Sequence, residues 1–356
     1  MKVKTIGIDV AKNVFQVHGV DEDGKVLLRK QLRRSQMMEF FAQRPPCLVG
    51  MEACGSAHHW ARRLMKIGYT VKLMAPQFVK PYVKTNKNDA ADAEAICEAV
   101  SRPTMRFVPV KTVDQQAALS VHRARQGFVQ QRTAQANQIR GLLAEYGVVI
   151  PQGIGNIRKC LPEILEDAEN SLPCLFRQLL GQLGEHLKEL DQLVKEMDHQ
   201  IQQWHGNNEA SQRLAAIAGV GPITASAMVA SVGDARNFRN GRQLAAWLGL
   251  VPRQHSTGGK SLLLGISKRG DCYLRTLLIH GARSVIRCSG RKAVVDPGDK
   301  MTWLQSLVLR RGANVAAVAL ANKNARVIWA LLAHDRHYQR SVACSARSCV
   351  RHQTEV

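Results

Sequence analysis

The first hundred residues alternate between strand-like and helix-like patterns of apolar positions. Segments with the alternation or β-branched content of strands cover residues 3–9, 14–20, 25–32, 47–53 and 70–74. Helical spacing covers residues 35–43, 57–67 and 88–101. The Asp21-Glu22-Asp23-Gly24 turn joins the second and third strands, so the first three strands are predicted to form an antiparallel meander.

This element order, β-β-β-α-β-α-β-α, is that of the ribonuclease H-like fold. We therefore predict an α/β domain of this class over residues 1–110. Because many α/β proteins share parts of the order, the prediction needs support from the chemistry of particular residues.

The middle of the chain, residues 111–206, is predicted to be helical. A polar helical stretch at 113–146 and a Gly/Pro break at 147–155 precede a helix over 172–204. Apolar residues recur there at the three, four and seven spacings of a coiled-coil seam: Leu179, Leu180, Leu183, Leu187, Leu190, Val194, Met197 and Ile201. An internal antiparallel hairpin and a dimer seam both fit. We favour an oligomerising arm and expect a homo-oligomer, a dimer or tetramer.

A mainly α-helical third domain is predicted over residues 207–335, with a basic tail at 336–356. Its helices flank Ala218-Gly219-Val220-Gly221-Pro222, the pattern of a helix-hairpin-helix motif. Gly219 and Gly221 would let the backbone approach a nucleic-acid phosphate, although a plain tight turn has the same pattern. A Ser-, Gly- and Lys-rich loop or hairpin follows at 253–269.

Charge indicates a polyanionic partner. The chain has 50 basic and 28 acidic residues, a net charge of +22. Residues 1–110 carry +8, residues 111–250 only +1, and residues 251–356 +13. The two flanks are therefore expected to bind nucleic acid. No signal peptide and no apolar run of bilayer length is evident, so we expect a cytoplasmic, nucleoid-associated bacterial protein without membrane contact.

Four carboxylates stand at predicted element ends. Asp9 and Glu52 end apolar strands, and Asp89 and Asp92 share one face at the start of a helix. In a ribonuclease H-like sheet these ends meet, and four hard oxygen ligands suit Mg²⁺, with Mn²⁺ as a substitute. Singly, Asp89 or Asp92 fits a helix cap, Asp9 a turn and Glu52 an ion pair with arginine.

Blocks in both halves of the chain, covering roughly residues 3–335, resemble the DEDD transposases of the insertion-sequence-110 family. The N-terminal blocks are Ile6-Gly7-Ile8-Asp9-Val10-Ala11-Lys12, Met51-Glu52-Ala53 and Lys87-Asn88-Asp89-Ala90-Ala91-Asp92-Ala93. The C-terminal blocks are Ile217-Ala218-Gly219-Val220-Gly221-Pro222-Ile223-Thr224-Ala225, Phe238, Leu244-Ala245-Ala246-Trp247-Leu248-Gly249-Leu250 and Pro252-Arg253-Gln254-His255-Ser256-Thr257-Gly258-Gly259-Lys260.

The resemblance implies a domain like the Holliday-junction nuclease RuvC, a coiled-coil middle and a C-terminal transposase domain. It implies a site-specific recombinase of double-stranded DNA, with a structured guide RNA as a further partner. The family's acidic tetrad corresponds to Asp9, Glu52, Asp89 and Asp92, and its catalytic serine to Ser256. Thr257 stands where some relatives have glycine, so Ser261 and Ser267 stay as lesser candidates.

Metal ions at the tetrad would activate the serine hydroxyl, which is otherwise a poor nucleophile. A phosphoserine link would conserve the phosphodiester energy, so that strands rejoin without a nucleotide cofactor. Basic and glycine residues near the two sites are the candidate nucleic-acid contacts: Lys12, Gly219, Gly221, Arg253, Lys260, Lys268 and Arg269.

Three other functions compete with this interpretation. A RuvC-like endonuclease of branched DNA would use water as nucleophile and would not need Ser256. A sugar-kinase or actin-like ATPase would need a glycine two residues after the first aspartate, where Ala11 stands. A non-catalytic nucleic-acid-binding protein explains the charge but leaves the four carboxylates without a role.

Overall fold

The computed structural model describes residues 2–84, 88–292 and 303–338. These residues divide into two compact units. The first contains the described residues up to 116 together with 232–234, and the second contains residues 117–231 and those from 235 onward. Most of the basic tail predicted at 336–356 lies outside the described residues.

A mixed sheet organises the first unit. In the described ranges it has six strands in the order β3-β2-β1-β4-β5-β6. The strands are β1 (Thr5–Val10), β2 (Val14–Val20), β3 (Val26–Arg33), β4 (Leu48–Glu52), β5 (Thr70–Met74) and β6 (Phe107–Val108). The first three are antiparallel, while β4 runs parallel to β1 and to β5. The expected meander and the adjacency of the first and fourth strands are confirmed, whereas β6, antiparallel to β5, was missed.

Helices cover both faces of this sheet. They are α1 (Met37–Ala42), α2 (Ala57–Lys66), α3 (Pro76–Val79) and α4 (Asp89–Val100). One buried cluster joins Ile6 and Ile8 of β1 to Phe41 of α1 and Trp60 of α2. A second cluster contains Ile96, Val100 and two alanines of α4 together with Met74 of β5. Because strand side chains alternate between faces, β1 contributes its isoleucines to the first layer and Gly7 and Asp9 to the α4 layer.

The middle of the chain forms an antiparallel pair of long helices. α5 (Val113–Ala144) and α7 (Cys174–Gly206) are connected through α6 (Ile154–Glu166). Along the pair, Arg125 contacts Asp198, Arg132 contacts Asp191 and Gln135 contacts His186. Residue numbers rise on α5 as they fall on α7, which is the order of an antiparallel hairpin.

The leucines that predicted an oligomerising seam are largely covered by this chain itself. Leu180 and Leu187 belong to a buried cluster with Ile139 and Leu143 of α5. The internal hairpin is therefore the alternative that the structure contains. A coiled coil between subunits is not confirmed, and oligomerisation stays a prediction.

The rest of the second unit is mainly helical, as expected. Its helices are α8 (Glu209–Ala215), α9 (Pro222–Val232), α10 (Gly241–Trp247), α11 (Cys272–Lys292), α12 (Trp303–Arg311) and α13 (Ala313–Ala333). Side chains of α13 donate hydrogen bonds to backbone carbonyls in three connecting segments. Asn324 donates to Ala218, Asn322 to Leu250, and the indole N–H of Trp329 to Ala235. A two-stranded hairpin, β7 (Pro252–Thr257) and β8 (Lys260–Ile266), completes the described part.

By length and composition alone, α13 is apolar enough to cross a bilayer, contrary to the expectation that no such run exists. It nevertheless packs against α10, α11 and α12. Its Leu320, Asn324 and Ile328 are buried. It therefore has the environment of a core helix.

Candidate functional site

Two carboxylates lie at neighbouring strand ends on one face of the N-terminal sheet. Asp9 is the penultimate residue of β1, and Glu52 is the last residue of β4. Gly7 and Gly50, two residues earlier on each strand, are paired in the parallel ladder. A side chain on either glycine would collide with α4. The alternation of strand side chains therefore directs Asp9 and Glu52 to the α4 face as well.

The start of α4 brings further carboxylates to this place. Asn88 caps the helix, and its side chain accepts a hydrogen bond of 3.0 Å from the backbone N–H of Ala90. Asp89 and Asp92 then occupy the first helical turn. Single ligand oxygens of Asp9, Asp89 and Asp92 all lie within 4.8 Å of one another. The sequence expectation that these groups meet agrees with this geometry.

Glu52 is not one of these three residues, but it lies close enough for the charges of Asp9 and Asp92 to affect its pKa. Burial raises the pKa of Glu52, and the charges of Asp9 and Asp92 raise it further. The pKa of the neighbouring Cys54 thiol is also raised, first by burial and then by Glu52 and Asp9. A cation would offset this accumulation of negative charge. The oxygen donors fit a hard divalent ion such as Mg²⁺ or Mn²⁺.

Lys12 follows Asp9 on an exposed turn. Its carbonyl accepts a hydrogen bond of 3.1 Å from Nη1 of Arg34. The contact fixes the backbone of the turn and leaves the Lys12 ammonium exposed. A contact of this ammonium with phosphate stays a prediction.

Ser256 lies on β7, in the hairpin of the second unit. Gly258 and Gly259 form the two-residue turn, both with positive φ (54° and 77°), the geometry that glycine tolerates best. Ser256 is exposed, faces Ser261 across the ladder, and its Oγ accepts a 2.8 Å hydrogen bond from the amide of Gln254. The segment predicted as a loop or hairpin is thus a hairpin, and it presents two of the three candidate serines.

Ser267 comes directly after β8, and its backbone N–H donates to the carbonyl of Val251. The basic side chains predicted near the serine are all exposed: Arg253, Lys260, Lys268 and Arg269. Lys268 has a positive φ of 53°. Their exposure permits contact with a polyanion, and each contact stays a prediction.

The turn predicted as a helix-hairpin-helix lies between α8 and α9. Gly219 has a φ of 84°, and its backbone lies so close to Gly281 of α11 that a side chain on either residue would collide with the other. Gly221 has open space around its α-carbon. Packing against α11 therefore explains Gly219 without a ligand, while Gly221 is free for close approach. A helix-hairpin-helix function is not confirmed.

Sequence patterns missed a buried polar network in the second unit. Nδ1 of His122 lies 2.9 Å from the hydroxyl of Tyr273, and its Nε2 lies 3.0 Å from Oγ of Ser226. Ser226 in turn donates to the carbonyl of Pro222 at 2.7 Å. These residues come from α5, α9 and α11, so no local spacing signals the network.

Two family models match the chain. An IS110-type DEDD domain described as "Transposase" matches residues 6–148, and "Transposase IS116/IS110/IS902 family" matches residues 211–294. A "Probable family 20 transposase" of Pseudomonas aeruginosa is 55% identical over 95% of this chain and 99% of its own length.

Two further relatives are similar over nearly their whole lengths. The "Transposase for insertion sequence element IS1111A" of Coxiella burnetii is 46% identical over 95% of this chain and 92% of the relative. The "Transposase for insertion sequence element IS1328" of Yersinia enterocolitica is 44% identical over 92% of this chain and 96% of the relative.

Proposed function

The chain belongs to the IS116/IS110/IS902 transposase family, whose members cut and rejoin DNA, and we propose that it recombines DNA by metal-assisted phosphoryl transfer through a phosphoserine intermediate. The observation that carries the proposal is that one carboxylate oxygen each from Asp9, Asp89 and Asp92 lie within 4.8 Å of one another. Nearby, burial and then the charges of Asp9 and Asp92 raise the pKa of Glu52.

The carboxylates of Asp9, Glu52, Asp89 and Asp92 would hold divalent ions, Mg²⁺ or Mn²⁺. When bound, such ions stabilise charge on the attacking and leaving oxygens of a phosphodiester. Ser256 Oγ would attack the phosphorus, forming a serine–phosphate bond and breaking the bond to one deoxyribose oxygen. The serine's proton passes to solvent, and the released hydroxyl of the leaving strand takes one up. Rejoining reverses the step with a hydroxyl from another strand.

Partners follow from charge and exposure. Double-stranded DNA at the element ends and the target is the substrate, and a structured guide RNA is the proposed second polyanion. Exposed Arg253, Lys260, Lys268 and Arg269 surround the hairpin that carries Ser256 and would contact phosphates. We place the reaction in the bacterial cytoplasm, on the nucleoid, in a dimer or tetramer.

A RuvC-like endonuclease that uses water remains the second candidate function. The same carboxylate geometry favours it equally, because neither the metals nor the sheet specifies the nucleophile. The two functions differ in whether Ser256 becomes attached to DNA.

The metal part of the proposal is tested with Asp9→Asn and Asp92→Asn in a DNA-cleavage assay. Both should lose cleavage by at least about 100-fold while binding DNA in EDTA as well as wild type. Glu94→Gln is the matched control, since Glu94 is on the same helix and its ion pairs with Arg29 and Lys84 are long and exposed. Full cleavage by wild type in EDTA would overturn the assignment.

A further inference from the structure

A basic cleft lies on the α1–α2 side of the N-terminal sheet, with a volume of about 730 Å³. Its polar lining includes three arginines, an amide, an imidazole and an indole: Asn13, Arg33, Arg34, His59, Trp60 and Arg63. None of these residues was among the candidate site residues from sequence. They come from the β1–β2 turn, the end of β3 with the turn after it, and α2.

The fold holds two of these arginines toward the turn that leaves the carboxylate site. The backbone N–H of Arg34 donates to the carbonyl of Asn13 at 2.9 Å, and its guanidinium donates to that of Lys12. Arg33 ends β3, where it pairs with Val14. The cleft therefore begins at the turn that follows β1, the strand whose penultimate residue is Asp9.

Positive charge accumulates in the cleft without an acidic partner. Within the described residues, no carboxylate forms a salt bridge with Arg33, Arg34 or Arg63. The pKa of His59 is lowered by burial and then by the positive charges of Arg63, Arg62 and Arg34. Uncompensated arginines favour binding of an anion.

The Trp60 indole lies beside these arginines. The indole is buried, and the central guanidinium carbons of Arg34 and Arg63 lie 5.2 and 5.6 Å from the centre of the ring. In the described part of the chain, its Nε1 is buried and has no hydrogen-bond partner. Buried donors normally find acceptors, so this unpartnered N–H beside the cleft is an exception. The three guanidinium groups that line the cleft are thus hydrogen-bond donors for which the described residues supply no carboxylate.

We propose that this cleft binds a backbone phosphate of the DNA, on the strand that passes the carboxylate site. Guanidinium groups match phosphate oxygens in pairs, and such contacts position DNA without reading its sequence. The proposal rests on the proposed function only in that DNA is bound at the carboxylates. It does not depend on Ser256 or on metal.

Arg63→Gln in the full chain is the first test, with Lys66→Gln as the control. Lys66 is one turn further along α2, is exposed, and does not line the cleft. Anisotropy of a labelled DNA duplex spanning the element end, measured in EDTA, reports binding without cleavage. Arg63→Gln should weaken binding about tenfold for any sequence and reduce the salt slope by about one, whereas Lys66→Gln should change affinity less than about twofold.

Neutral methylphosphonates introduced one at a time along the duplex locate the phosphate. At one position the substitution should weaken binding of wild type yet have no further effect on Arg63→Gln. Thermal melting shows whether Arg63→Gln is folded. If it is not, Arg33→Gln, which changes an exposed side chain of the same cleft, repeats the test.

Equal affinities for Arg63→Gln and Lys66→Gln, or additive effects at every phosphate, would overturn the proposal. A parallel titration with single-stranded RNA of the same length separates the polyanions: a loss confined to RNA would also overturn the DNA assignment. Normal DNA binding by these variants would overturn the cleft proposal whatever their cleavage activity, whereas the proposed function fails separately, if wild type forms no serine–DNA adduct.

Discussion

Gly7 of β1 lies directly against Ala93 of α4, so close that a Cβ atom on Gly7 would overlap the carbonyl oxygen of Ala93. Gly50 of β4 makes the equivalent approach, since its Cβ would lie 2.7 Å from Cβ of Val100. These two glycines let α4 rest on the sheet itself. The first turn of α4 thereby reaches the strand end where Asp9 lies, and the carboxylate cluster depends on this close packing.

Gly7→Ala is therefore expected to push α4 away from β1. Overpacking should destabilise the protein by at least about 2 kcal/mol and weaken divalent-ion binding at the carboxylates. Gly141→Ala is the control, because Gly141 is exposed on α5 with open space around it and alanine favours helix. Urea unfolding and Mn²⁺ titration measure the two effects. Normal Mn²⁺ affinity in a folded Gly7→Ala would show that the cluster does not need this contact.

A second prediction concerns the α5–α7 hairpin. Asp191 is buried on α7 and pairs with Arg132 of α5 at 3.2 Å and Arg158 of α6 at 2.5 Å. Asp191→Asn should cost about 2 kcal/mol, below the figure of about 3–5 for fully buried pairs because Arg158 is half exposed. Glu185→Gln, which breaks an exposed pair with Lys188 on the same helix, should cost less than about 0.5 kcal/mol. If Asp191→Asn and Glu185→Gln unfolded at the same urea concentration, the buried Asp191 pairs would not contribute the predicted stability.

The sequence was most informative where local patterns have a single structural solution. Strand alternation placed β2 and β5 at their observed bounds, and a helix start at Asn88 or Asp89 was predicted, although the capping residue is Asn88 and not Asp89 or Asp92. The carboxylates stood out because strand ends and the first turn of a helix are positions that sequence defines.

Features that depend on distant partners were not predictable in this way. A leucine stripe on α7 has the same spacing whether α5 or another subunit covers it, so the seam could not distinguish hairpin from dimer. Gly219 owes its role to Gly281, 62 residues away in the chain. The basic cleft brings together residues from three separate elements.

Stability should depend on pH through His122. Burial, and then the charge of Arg125, lowers its pKa to about 4. The folded state therefore keeps His122 neutral, and its contribution is fully present above pH 6.5, the unfolded pKa, and is lost as pH falls toward 4. Between pH 7.5 and 5 wild type should lose about 2 kcal/mol more than His122→Gln in urea unfolding. If the free energy of unfolding fell equally with pH in wild type and His122→Gln, His122 would not be the titrating group.

Oligomerisation, if it uses the helical hairpin, should use the apolar residues that the hairpin leaves exposed. Leu175 and Leu179 are 80% and 41% exposed on successive turns of α7. The double change to lysine should reduce the mass seen by light scattering without lowering the melting temperature by more than a few degrees. Changing Gln178 and Gln182 to lysine controls for added charge. An unchanged mass would place the contact elsewhere.

The final prediction separates recombinase from nuclease. If Ser256 attacks DNA, stopped reactions of wild type should contain protein joined to a DNA end, seen as a protease-sensitive shift on a denaturing gel. Ser256→Ala should lose the adduct and strand exchange yet bind DNA within about twofold, because one hydroxyl adds little beside many phosphate contacts. Ser261→Ala is the matched control, since Ser261 faces Ser256 across the same hairpin.

Water attack predicts cut DNA without an adduct, and Ser256→Ala would then cleave near the wild-type rate. That result would establish the endonuclease function in place of the proposed one. An adduct that persists in Ser256→Ala but disappears in Ser261→Ala or Ser267→Ala would retain covalent catalysis and move the nucleophile. Because the hairpin exposes Ser256 and Ser261 alike, only the chemistry of these single variants distinguishes them.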